Sequence, residues 1–196
     1  MRLLIGSANP GKVAEYRRLL AGGGRELVAP SDLASPPPEP AEDAPTFAEN
    51  ARRKASAYAG ATGIATVADD SGLEVDALHG APGVRSRRFF GEDATAEERN
   101  ARLLALLEGV AERGARFVCV IALARPGGSS ELFAGEVRGE IATAPRGRGG
   151  FGYDPLFVVA GDGRTMAELG ADEKDRVSHR GRAAAKLRDR LAAEPA

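Results

Sequence analysis

Asp69-Asp70-Ser71-Gly72 sets two carboxylates and a hydroxyl side by side between apolar, β-prone flanks, Ile64 and Val67 before and Leu73 and Val75 after. If both flanks are strands, the tetrad is a tight loop at a sheet end, where rigid scaffolds usually place chemistry. Adjacent aspartates repel, so a buried pair needs a cation or a shared proton. With no His or Cys nearby, an oxygen-only ligand set favours Mg²⁺ or Mn²⁺ over Zn²⁺. The same residue types also make ordinary solvated turns.

Three further stretches carry chemistry. Ser7-Ala8-Asn9-Pro10-Gly11-Lys12 follows a short apolar strand, with Val13, Tyr16, Leu19 and Leu20 at helical spacing after it. Asn9 suits the N-cap and Pro10 the first helical position, so the helix start offers a positive dipole end with Lys12 beside it. That is either an anion site or a well-capped helix; the Walker spacing is missing. Gly147 to Pro155 is glycine-rich and carries Phe151, Gly152, Tyr153 and Asp154. Its aromatics suit stacking on a base, or packing as a turn before a strand at Leu156 to Val159. Lys174, His179 and Arg180 put three hydrogen-bond donors within seven positions. They lie in a polar segment, Asp172 to Gly181, ahead of a terminal helix that Ser178 would cap.

The elements that must hold these groups alternate. Strands are expected at Arg2 to Gly6, Glu26 to Ala29, Leu73 to Leu78, and as a hairpin of Ala115 to Ala124 with Glu131 to Ala142. Capping boxes Thr46-Phe47-Ala48-Glu49 and Thr95-Ala96-Glu97-Glu98 open two helices. On the first, the face with Asn50, Arg53, Lys54 and Ala57 reads as solvated. Five prolines between Pro36 and Pro45 exclude regular structure from a loop carrying Glu39, Glu42 and Asp43. Arg85, Arg87 and Arg88 beside Phe89 and Phe90 read as a polyanion clamp or a mobile loop.

The alternation indicates an α/β domain, and 196 residues suit one domain or one with two lobes. A net charge of -1 gives no basic field for nucleic acid. No apolar run reaches the roughly 20 residues of a membrane span. The N-terminus lacks the features of a signal peptide, and the single Cys119 lies in an apolar run, so a cytoplasmic protein with an inert core thiol is expected.

Taken together, these stretches resemble the inosine/xanthosine triphosphate pyrophosphatase family, enzymes that act on non-standard purine nucleotides. The resemblance covers nearly the whole chain. It is carried by Ser7 to Lys12, by Glu42 ahead of Thr46 to Ala51, and by Ala68-Asp69-Asp70-Ser71-Gly72-Leu73. Gly80 to Val84, Gly91 to Thr95, Gly150 to Pro155 and Ser178-His179-Arg180-Gly181 complete the ordered set. Ser7 stands where Thr is usual, Ala8 where Gly is usual, and Arg87 where Ala is common.

The resemblance implies an elongated, twisted mixed β-sheet flanked by helices, with two lobes around a central cleft in one domain spanning 1–196, and a homodimer. It implies Mg²⁺-dependent hydrolysis of ITP, dITP or XTP to the monophosphate and pyrophosphate. Asp70 is then the proton acceptor for water, and Glu42, Asp69 and Asp70 are the metal carboxylates, with Mn²⁺ a possible substitute. Ser7, Ala8, Asn9, Pro10, Gly11 and Lys12 would hold the triphosphate, and Ser71 would hydrogen-bond phosphate or sugar. Phe151, Gly152, Tyr153 and Asp154 would hold the base, and Lys174, His179 and Arg180 would read its 6-oxo group. The partner is thus a nucleoside triphosphate, with no nucleic acid and no membrane. A pyrophosphatase for modified pyrimidine nucleotides and a non-catalytic nucleotide sensor are the rival readings, which a nucleotide panel separates.

Overall fold

The computed structural model describes residues 2–193. Along the chain run β1 (Arg2–Ile5), α1 (Pro10–Leu19), β2 (Glu26–Val28), α2 (Phe47–Thr62) and β3 (Thr66–Val75). There follow α3 (Ala96–Leu106), β4 (Gly114–Ala124), β5 (Ser130–Ile141), β6 (Phe157–Val159), α4 (Ala171–Val177) and α5 (His179–Ala192). The strands form one mixed sheet in the order β2-β1-β3-β4-β5-β6. β1 pairs in parallel with β2 and with β3, Leu4 opposite Val28 and Thr66, whereas β5 and β6 are antiparallel. This is the expected α/β class with a mixed sheet.

The aspartate tetrad differs from its expected form. Residues 69–72 are not a loop: β3 runs unbroken from Thr66 to Val75. Asp and Ser are poor strand formers in isolation, but strand propensity yields to context, and here β3 has a sheet neighbour on each side. The strand also stops earlier than the sequence suggests, with Asp76–Leu78 forming a 3₁₀ turn. The polar segment before the terminal helix contains its own short helix, α4. Ser178, in extended backbone (φ -70°, ψ 159°), separates α4 from α5.

The chain divides into two compact units. One comprises Met1–Asp70, Cys119–Gly135 and Arg180–Ala196; the other Ser71–Val118 and Glu136–His179. In the first, side chains alternate across the sheet with period two. Leu3 and Ile5 of β1, Val67 of β3 and Cys119, Ile121 and Leu123 of β4 pack with Tyr16 and Leu19 of α1 and Ala184, Leu187 and Leu191 of α5. Leu4 and Val28 point the other way, onto Tyr58 of α2. In the second unit, Leu73, Val75, Phe117, Val137 and Phe157 pack with Leu103 of α3 and with Leu107 just after it. The start of α3 carries both arms of its capping box, Glu98 N–H to Thr95 Oγ1 at 3.1 Å and Thr95 N–H to Glu98 Oε2 at 2.8 Å. The arginine-rich segment is tied down by Ser86, whose Oγ accepts from Leu73 N–H at 2.8 Å and donates to Gly83 O at 2.7 Å. No described helix is long and apolar enough to cross a membrane.

Candidate active site

In the first unit, the turn from β1 into α1 is built by its own side chains. Ser7 is buried, and its Oγ accepts from Asn9 N–H at 3.2 Å. Asn9 Oδ1 then accepts from Gly11 and Lys12 N–H at 2.9 and 3.2 Å, an N-cap in extended backbone. Ala8, Asn9 and Pro10 are exposed. Because Asn9 already takes the first helical N–H groups, attraction for an anion at this turn rests on the dipole end and on Lys12.

The strand geometry of β3 separates the two aspartates. Adjacent residues on a strand face opposite sides of the sheet. Asp69 shares the side of Val67, under α1 and α5, and is fully buried. Its Oδ2 lies 3.1 Å from Lys12 Nζ and 3.0 Å from Arg180 Nη2, and accepts weakly from Cys119 Sγ at 3.6 Å. Burial alone would raise its pKa. The charges of Lys12 and Arg180 overcome that and hold the carboxyl far below the usual carboxylate range. Arg180 in turn gives Nη1 to Glu15 Oε2 at 2.6 Å. Burial, with the negative charge of Asp69 adding to it and the two cations opposing it, pushes the Cys119 thiol well up, as expected for an inert core thiol.

Asp70 faces the other side, toward α2. Asn50, fully buried, donates Nδ2 to Asp70 Oδ2 at 2.8 Å while its Oδ1 accepts from Ala44 N–H at 2.9 Å. Burial dominates here and drives the Asp70 carboxyl up to about 6. The Asn50 bond opposes that rise, and the negative charge of Glu42 adds to it. Lys54, one turn beyond Asn50 on α2, is buried and pairs with Glu42 of the proline loop. Burial works against the Lys54 charge, but Asp69 and Glu42 keep its pKa raised.

These carboxylates differ in their fit to a divalent cation. Among the described residues, no group of three His, Cys, Asp or Glu could by itself hold a metal ion. Glu42 and Asp70 are two hard oxygen donors whose mutual repulsion a cation would relieve, and Mg²⁺ is commonly held by one or two carboxylates plus substrate phosphates and water. Asp69 fits less well, because its charge is already met by Lys12 and Arg180.

The second unit brings together most of the expected base-binding set. Lys174 on α4 is buried and gives Nζ to Asp154 Oδ2 at 2.6 Å. The same oxygen accepts from Phe151 N–H at 2.8 Å, and Lys174 Nζ lies 4.9 Å from the Phe151 ring centroid. A Cβ on Gly150, whose φ is +70°, would overlap Asp154 Oδ2, so glycine is required there. Gly152, also at positive φ, lends its carbonyl to Asn100 Nδ2 at 3.1 Å. Asp154 thus ties Lys174 to the loop backbone through one carboxylate oxygen. Tyr153 is likewise turned inward, its ring in the core and its hydroxyl donating to Ser86 O at 3.0 Å. Phe151 remains half-buried. His179 is buried with its ring stacked on Phe117, centroids 4.7 Å apart. Ser71 is half-buried on β3. Arg180 belongs to the Asp69–Glu15 network of the first unit.

The family model described as Ham1 family matches residues 3–190. The chain belongs to the Ham1 family. A Geobacter sulfurreducens relative called dITP/XTP pyrophosphatase is 52% identical over 97% of this chain and 96% of its own length. A Ham1 protein structure from Coxiella burnetii superposes with a TM-score of 0.89 at 40% identity, covering 99% of this chain and all of that one. A structure from Mycobacterium abscessus, titled nucleoside-triphosphatase / dITP/XTP pyrophosphatase, matches with a TM-score of 0.75 at 46% identity over 95% of this chain and 98% of that one.

In this Ham1 chain, the residues that sequence reasoning passed over are Glu15, Asn50, Lys54 and Asn100. Asn50 and Lys54 were expected on a solvated face of α2, yet both are buried against carboxylates. Their i, i+4 spacing was the available signal, since it places both on one face over the acidic strand and loop. Glu15 stands three residues after Lys12, on the same face of α1. Asn100 carries no such cue.

Proposed function

We propose that the chain hydrolyses non-standard purine nucleoside triphosphates, ITP, dITP and XTP, to the monophosphate and pyrophosphate in a Mg²⁺-dependent reaction. Full-length relatives of about half identity called dITP/XTP pyrophosphatase support the substrate class. The observation that carries the chemistry is Asp70, a buried carboxyl held at about 6 within reach of Asn50 and beside the charge of Glu42. At neutral pH such a group is mostly ionised yet basic enough to take a proton from water, which is what a general base needs.

Phosphoryl chemistry asks the protein for positioning and for cationic charge rather than covalent work. Lys12 and the dipole end of α1 hold the triphosphate oxygens. Asn50 orients the Asp70 carboxylate toward the attacking water, and Lys54 fixes Glu42. Mg²⁺, held by Glu42 and Asp70, would supply charge neutralisation on the phosphates. In the second unit Lys174, aimed by Asp154, donates to the 6-oxo group of the purine, and Phe151 offers the exposed part of its ring. Adenine would set an amino group against that donor and leave it unpaired, which is a strong basis for rejection.

A nucleotide panel with Mg²⁺, following pyrophosphate and orthophosphate separately, tests this. Pyrophosphate release from ITP, dITP and XTP at rates at least a hundredfold above ATP is expected. Orthophosphate as the first product, or equal turnover of ATP and ITP, would overturn it.

A further inference from the structure

We propose that Glu15 is a positioning residue for the phosphate-binding Lys12, acting through Arg180 and Asp69; the inference rests on the reading of Lys12 as a triphosphate ligand. The three links are a buried relay. Glu15 Oε2 meets Arg180 Nη1 at 2.6 Å, Arg180 Nη2 meets Asp69 Oδ2 at 3.0 Å, and that same oxygen meets Lys12 Nζ at 3.1 Å. Arg180 is 1% exposed and Asp69 0%, whereas Lys12 is the half-buried end of the chain of charges.

The relay solves an electrostatic problem. An ionised carboxylate in Asp69's position is costly unless paired, because desolvation there is nearly complete. If Lys12 were its only partner, engaging a substrate oxyanion would strand the buried charge, and Lys12 would be held back. Arg180 supplies a second cation that stays when Lys12 turns to the substrate. Two cations on one carboxylate would be one too many in the free protein, and Glu15 supplies the balancing anion. Counting Glu15 and Asp69 against Lys12 and Arg180, the four charges cancel.

Glu15 also fixes where Arg180 points. Asp69 Oδ1 is buried without a hydrogen-bond partner among the described residues, so it is an open acceptor beside the guanidinium. While Nη1 is engaged by Glu15, Arg180 reaches only Oδ2. Freed from Glu15, its planar fork can take both Asp69 oxygens, the geometry arginine prefers with a carboxylate. Lys12 would then lose the oxygen that now aims it.

The test is Glu15→Gln, read by ITP kinetics and by calorimetric affinity for inorganic pyrophosphate with Mg²⁺. A positioning role raises KM about tenfold with kcat within twofold, the signature of lost ground-state binding, and weakens pyrophosphate by a similar factor. In a Lys12→Ala background the same substitution leaves the pyrophosphate Kd unmoved. A KM within twofold of wild type, a fall in kcat with KM unchanged, or equal effects in both backgrounds would overturn the proposal. Should Glu15→Gln fail to fold, Glu15→Asp keeps the charge but cannot span the 2.6 Å contact. It is expected to raise KM about threefold, and an unchanged KM would count against the relay. Wild-type protein that releases no pyrophosphate from ITP sinks the functional reading instead, so the two failures are distinct.

Discussion

Asp69→Asn and Asp70→Asn, at adjacent positions and with the same change of chemistry, are expected to move stability in opposite directions. Asp70 is held at about 6 against an ordinary 3.8. At 1.36 kcal/mol per tenfold change in proton affinity, its ionised form burdens the native state by about 3 kcal/mol at pH 8. The sign follows from linkage. The native carboxyl binds its proton more tightly than the unfolded one, so the burden is absent well below 3.8. It builds between 3.8 and 6, and it is complete above that. At pH 5 it is roughly half developed, about 1.6 kcal/mol. Asparagine at position 70 carries no charge to bury and can still pair with Asn50. Asp70→Asn should therefore stabilise the metal-free protein by about 1–3 kcal/mol at pH 8, clearly less at pH 5, and abolish turnover. Asp69 has the opposite linkage. Its pKa is depressed by Lys12 and Arg180, so its contribution is fully present above 3.8 and is lost only at more acid pH. Removing that anion leaves two cations sharing a buried site with Glu15 alone, a loss of about 3–5 kcal/mol that stays constant from pH 5 to 8. Urea denaturation in EDTA at pH 5 and pH 8 measures both. Equal destabilisation by the two variants, or an Asp70→Asn effect that does not grow with pH, would refute the reasoning.

Two further outcomes are expected in the second unit. Gly150→Ala places a methyl against Asp154 Oδ2 and 3.0 Å from Lys174 Nζ, at a φ of +70°. It should cost about 1–3 kcal/mol in thermal denaturation and raise KM for ITP, and an unchanged KM would detach the Asp154–Lys174 pair from substrate. Tyr153→Phe removes the hydroxyl that reaches Ser86 O and leaves that carbonyl without this donor, costing about 1–3 kcal/mol of stability with KM for ITP unmoved. A raised KM at unchanged stability would return the ring to the base.

Much of the site was legible because its residue types have few other uses. Asn9-Pro10 before a helical stripe can hardly be anything but a capped helix start, and the cap is there. The proline loop with its acids was readable because proline excludes regular structure, and residues 36–46 have none. Orientation was not legible. Composition could not say that Tyr153 turns into the core, because a tyrosine in a glycine-rich turn is equally suited to a ligand face. Arg180 adjoins His179 in sequence, yet the start of α5 turns the two side chains to different neighbours, Phe117 for one and Asp69 with Glu15 for the other. A helix advances about 100° per residue, so adjacent positions seldom share a partner.

The aspartate pair shows why one wrong element changes the chemistry inferred. Read as a loop, the two carboxylates stand together and require a shared cation or proton. On a strand, the pleat sends them to opposite sides of the sheet, and each is settled by the helices on its own side. Asp69 meets cations from α1 and α5 and becomes a permanent anion. Asp70 is buried against an amide from α2, with the charge of Glu42 nearby, and becomes a weak acid. The division of labour needs no difference between the two residues themselves. It follows from a period of two, since one step along the backbone exchanges one environment for the other.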